Sequence, residues 1–124
     1  MRAEPKPSEQ LEAFLDFVDH CASRYNLAYS NVNTEDKRLQ DLLHEIELAP
    51  DKAERNRAAT RLQHSRKTRR ENKDMVKLYG EIVQFFGDAG NRKVLDKMRQ
   101  LLGRQRKEEE YLYSDRMYKP RVEK

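Results

Sequence analysis

Two clusters of basic and aromatic residues are the parts of this 124-residue chain whose types and spacing could do chemistry. The first is Arg61, Arg66, Lys67, Arg69, Arg70 and Lys73, with Gln63 and His64 among them. On a helix, Arg66, Arg69, Arg70 and Lys73 share one side, because residues three and four apart are neighbours. Such a face can hold a phosphate backbone, and arginine suits bidentate phosphate contacts. The second cluster is Arg104, Arg106, Lys107, Tyr111, Tyr113, Arg116, Tyr118, Lys119 and Arg121. Rings among cations suit nucleic acid, since bases stack on the rings while the cations meet phosphate. They equally suit a protein interface, where Tyr and Arg act as anchors. Each cluster also has a plainer reading. The first could be neutralised by acidic residues of neighbouring helices, and in the second Tyr111 and Tyr118 could pack back on the bundle with the charges solvated.

Other chemistries find little support. Asp16, Asp19 and His20 share a helical face, but a metal site needs further ligands and ordered partners behind them. A solvated acidic face accounts for them better. His44 and His64 stand alone, and no paired-cysteine or His-Glu-x-x-His pattern occurs. There is no glycine-rich phosphate loop and no nucleophile elbow. Cys21 falls within an apolar stripe, which favours packing over reactivity. The expectation is a binding protein that is not an enzyme and carries no cofactor or metal.

Composition decides what must position these clusters. Hydrophobic residues make up 36% and charged residues 39%, against norms of about 45–50% and about 25%. So few apolar residues fill a narrow seam between long helices more readily than a layered core. Residues 1–50 carry 5 Lys/Arg and 10 Asp/Glu, a net −5, whereas residues 51–124 carry 21 and 12, a net +9. The basic excess meets either the acidic first part internally or a polyanion outside. No apolar run approaches the ~20 residues of a membrane span, and no secretory signal is visible. With the single cysteine, this fits a cytoplasmic protein.

The chain divides into three helical segments. Ser8, after Pro7, is an N-cap for the first. From there Leu11, Leu15, Val18, Ala22, Tyr25, Tyr29, Val32, Asp36, Leu39, Leu43 and Ile46 alternate by four and three, with Phe14, Cys21, Ala28 and Leu42 widening the stripe. Asn31–Thr34 is the place for a kink or break, with Thr34 able to cap a new helix. Pro50 ends the element, and Asp51 with Glu54 forms a capping pair for a second helix reaching about Phe86. Gly87-Asp88-Ala89-Gly90 reads as a turn. A third helix follows, with Val94, Met98, Leu101, Gln105, Glu108 and Leu112 in register and fraying near Tyr118. Asp36, Asn72 and Gln105 are polar members of the seams, able to set register. Pairing the second and third helices about the turn would put Glu108 opposite Arg69 and Gln105 opposite Asn72.

The expected fold is all-α: an elongated antiparallel three-helix bundle, or four helices if the first breaks near residue 32. Residues 1–7 read as an N-terminal tail, 8–118 as one helical domain and 119–124 as a C-terminal tail.

Two stretches carry a resemblance. One is Asp41-Leu42-Leu43-His44-Glu45-Ile46-Glu47-Leu48, followed by Glu54-Arg55 and by Arg69-Arg70-Glu71-Asn72-Lys73-Asp74. The other is Leu101-Leu102-Gly103-Arg104-Gln105-Arg106-Lys107, followed by Glu110-Tyr111 and Arg116-Met117-Tyr118-Lys119-Pro120-Arg121-Val122. Together, over about residues 40–122, they resemble small helical accessory proteins of Firmicutes prophages and mobile elements. The resemblance implies a protein that binds DNA, or that binds and disables a host nucleoprotein defence as anti-CRISPR proteins do. The basic Arg66–Lys73 face departs from acidic DNA mimicry and would instead touch guide RNA or an acidic protein surface. The alternatives are a module binding DNA or RNA directly, and a self-associating scaffold that forms a homodimer through the first helix.

Overall fold

The computed structural model describes residues 4–115. These are all-helical and contain three helices: α1 (Pro7–Leu48), α2 (Lys52–Gly87) and α3 (Ala89–Tyr113).

Each helix begins where backbone chemistry allows it. Pro7 occupies the first helical position, where its missing N–H is no loss. Glu9 reaches back to accept from the Lys6 N–H at 3.3 Å. Ser8 therefore lies inside α1 and is not its cap. Its N–H is one of the orphan donors of a first turn, and its hydroxyl serves a partner in α3. Nor does Thr34 start a new helix. Its hydroxyl donates to the Ser30 carbonyl at 3.1 Å, a back-bond within the helix, and α1 continues unbroken. Asp51 caps α2 as expected, its carboxylate accepting from the Glu54 N–H at 2.8 Å. The anticipated four-residue turn contracts to Asp88 alone, whose side chain accepts from the Gly90 N–H at 3.1 Å. The expected fraying point, Tyr118, lies outside the described residues, and α3 ends at Tyr113 with Ser114 as its C-cap.

The chain forms two compact units. One is Val18–Phe85; the other joins the described residues up to Phe17 with those from Phe86 on. In the first unit Val18, Cys21, Ala28, Leu42 and Ala58 are buried. In the second Leu15, Leu95 and Leu102 are buried.

Leu15 and Val18 are buried as expected, and so are Cys21, Ala28 and Leu42, which widen the expected stripe; past Tyr25 on α1, and on α3, the buried row lies one residue from the main row expected. On α1, Ala28, Glu35 and Leu42 are buried, whereas Tyr29 and Leu43 are half exposed and Asp36 is exposed. On α3, Leu95, Leu102 and Glu109 are buried, whereas Val94, Leu101, Glu108 and Leu112 are exposed. Either row alternates by three and four with the shared positions Tyr25, Val32 and Leu39, or Met98 and Gln105. Periodicity alone does not separate them; the neighbouring helix chooses one.

Candidate nucleic-acid interface

The basic middle of α2 is positioned by a polar stretch of seam. From residue 62 to 76, Leu62, Ser65, Arg69, Asn72, Met75 and Val76 are the buried or half-buried positions. An all-apolar partner would leave three of them unsatisfied, at a cost of about 1–3 kcal/mol each. Helix α1 satisfies all three. The Ser65 hydroxyl donates to buried Glu35. Asn31 Nδ2 donates to Asn72 Oδ1 at 3.1 Å. Arg69 Nε meets Asp36 Oδ1 at 2.6 Å. Glu35 is further held by Arg38 Nη1 at 2.5 Å. The expected partners of Arg69 and Asn72 were Glu108 and Gln105 of α3. The observed ones belong to acidic α1, and Gln105 bonds Glu109 at 3.0 Å instead. The polar seam residue of α1 is accordingly Glu35, with Asp36 beside it.

This register splits the basic stretch. Arg61 pairs with Glu45 at 2.7 Å. It borders a depression lined by Arg38, Asp41, Glu45, His64, Ser65 and Thr68, among others. Arg66, Arg69, Arg70 and Lys73 line a different, smaller depression. Arg66, Arg70 and Lys73 are exposed, and among the described residues none of the three has an ion-pair partner. Lys67 is exposed and lines neither depression. Three cations without ion-pair partners within about two helical turns concentrate positive charge that can attract an anion.

The C-terminal cluster lies in the other unit. Arg106 Nη2 meets Glu12 Oε2 at 2.8 Å. Tyr113 is 72% exposed, with the Lys6 ammonium 4.8 Å above its ring. Tyr111 is half exposed, and Arg104 and Lys107 are exposed. Arg116, Tyr118, Lys119 and Arg121 lie outside the described residues.

Of the remaining candidates Cys21 is packed in the core, whereas Asp16, Asp19, His20, His44 and His64 are exposed. Cys21 is fully buried as a free thiol. The His20 ring sits edge-on to Tyr79 at 6.4 Å. Among the described residues no three His, Cys, Asp or Glu side chains are grouped to hold a metal ion.

Two residues that sequence reasoning missed are the buried carboxylates. Glu109 accepts from the Ser8 N–H at 2.9 Å and from the Ser8 hydroxyl. The Ser8 hydroxyl chiefly, with Gln105, the Ser8 N–H and the Lys6 charge, holds the Glu109 carboxyl below its ordinary value despite its burial. Glu35 and Ser65 repeat the carboxylate–serine pairing in the other unit. The available signal was the spacing itself: Glu35 lies seven residues from both Ala28 and Leu42, and Glu109 seven from Leu102. A comparison of the chain with protein-family models, curated proteins and solved structures gives no match.

Proposed function

We propose that the chain is a non-catalytic binding protein that grips a nucleic-acid backbone, met within a nucleoprotein target, through Arg66, Arg70 and Lys73. One observation carries this reading. Arg61, Arg69 and Arg106 are taken up by Glu45, Asp36 and Glu12, while these three cations are exposed without a partner among the described residues. Cations without an ion-pair partner in the fold are free to replace counterions on a phosphate chain. The setting implied by the resemblance, a mobile-element protein that disables a host defence, supplies a target of this kind and is part of the proposal. Contacts support an antiparallel arrangement of α1 with α2, since Glu45, Asp36 and Asn31 meet Arg61, Arg69 and Asn72 in turn. The Ser8–Glu109 and Glu12–Arg106 pairs support the same arrangement for α1 with α3.

The test is capture from a Firmicutes lysate with tagged wild type and R66E/R70E, with and without nuclease. Wild type should retain a target that the variant loses, at unchanged helical circular dichroism. Retained capture by a folded R66E/R70E overturns the reading. If nuclease removes everything captured, the target is nucleic acid alone and the nucleoprotein part falls.

A homodimer through α1 is the second reading, favoured by Leu27, Tyr29 and Leu43, each half or more exposed on that helix. Sedimentation equilibrium decides it: a monomer at the highest soluble concentration excludes it.

A further inference from the structure

The unpaired cations border a specific strip of α1. Arg69 lies between Arg66 and Lys73 and reaches Asp36, so the side of α1 that carries Asp36 flanks the basic row. Tyr29 and Leu43 lie seven residues either side of Asp36 and share that side in a 3.5-residue seam. Asn33 and Gln40, three and four residues from Asp36, are its surface neighbours. The Asn31–Asn72 hydrogen bond fixes the axial register and sets Tyr29 within about a turn of Lys73. Tyr29 is 54% exposed, and the Tyr25 ring lies 6.1 Å from it at a 30° tilt. Tyr29 thus has an aromatic neighbour on its own helix while more than half of the residue stays open to solvent. The strip's single carboxylate between Tyr29 and Leu43 on this side, Asp36, is already neutralised by Arg69. The opposite side of the α1–α2 pair mixes Asp41 and Glu45 with Arg38 and Arg61, so of these two sides it is this one that offers a polyanion a row of cations without ion-pair partners.

We propose that this composite face binds single-stranded nucleic acid, with Tyr29 as the platform on which an unpaired base stacks while Arg66, Arg70 and Lys73 follow the phosphates. A duplex keeps its base faces stacked inside and offers Tyr29 nothing, whereas a single strand presents a ring and a phosphate together. The amides of Asn33 and Gln40, each both donor and acceptor, are placed to meet base edges. The inference rests on the reading of the basic row above and narrows its target to unpaired strands.

The test is fluorescence anisotropy of the full chain against a labelled oligothymidylate about 20 nucleotides long and a duplex of equal length. The single strand should bind more tightly than the duplex. Tyr29→Ala should weaken single-strand binding at least about fivefold, and Tyr29→Phe should retain it. R66E/R70E should abolish binding to both. Tyr29→Ala binding like wild type, duplex binding as tight as single-strand binding, or no binding to either probe overturns the inference. If R66E/R70E also binds like wild type, the basic-row reading falls as well. If R66E/R70E loses binding while Tyr29→Ala does not, this inference falls and the basic-row reading stands.

Discussion

The carboxylate of Glu109, near the end of α3, accepts both the backbone N–H and the hydroxyl of Ser8 in the first turn of α1. A first turn leaves N–H groups without partners inside the helix. Here one is satisfied from another helix by a full negative charge, which the positive end of the helix dipole also favours. The pair ties residues 101 positions apart in sequence.

A pH dependence follows from that contact. The folded-state value of Glu109 lies below the ordinary 4.5, so protons bind more tightly to the unfolded chain. The contribution is present in full above about 4.5 and is lost as pH falls through the folded value. Thermal melts from neutral to acidic pH should show wild type losing more Tm than Glu109→Gln, with the gap between them closing at low pH. Parallel curves for the two proteins would remove Glu109 as the source.

The buried Glu35–Ser65 pair should behave asymmetrically. Glu35→Ala leaves the Ser65 hydroxyl buried without a partner and should cost about 1–3 kcal/mol. Glu35→Leu combined with Ser65→Ala replaces both polar groups and should recover most of that loss, or exceed wild type. Urea unfolding with a shared m-value measures both. A double variant less stable than the single one would show that the pair contributes net stability.

Asp51 is a local cap that no other helix supports. Asp51→Ala should lower stability by about 1 kcal/mol, and Asp51→Ser by much less. Chemical denaturation read by helical circular dichroism checks the order of the three proteins.

Salt should weaken target binding steeply. Removing one phosphate-contacting cation, by Arg66→Ala or Arg70→Ala, should reduce the slope of log affinity against log salt by about 0.7–0.9. Arg61→Ala, whose partner is Glu45 on the other side of the hairpin, should leave the slope unchanged. Equal slopes for all three variants would disperse the site beyond this row.

Much of the fold is legible in the chain, because it depends on local rules. Pro50, Asp51 and Glu54 mark the junction of α1 and α2 through blocked backbone geometry and a capping carboxylate. Gly87–Gly90 marks the next junction. Low apolar content and three-four spacing call for long helices meeting along narrow seams. What sequence alone leaves open is which of two adjacent rows is buried. Tyr29, Asp36 and Leu43 repeat as regularly as Ala28, Glu35 and Leu42, so both rows carry the same periodic signal. Only the approach of a second helix removes one of them from water. That choice decides the chemistry of the site. It buries Glu35 against Ser65, spends Arg69 on Asp36 and Arg61 on Glu45, and leaves Arg66, Arg70 and Lys73 exposed without ion-pair partners. A charge run on a helix states how many cations are available; the neighbouring helix states how many remain unpaired, because pairing depends on distances of a few ångströms between residues far apart in the chain.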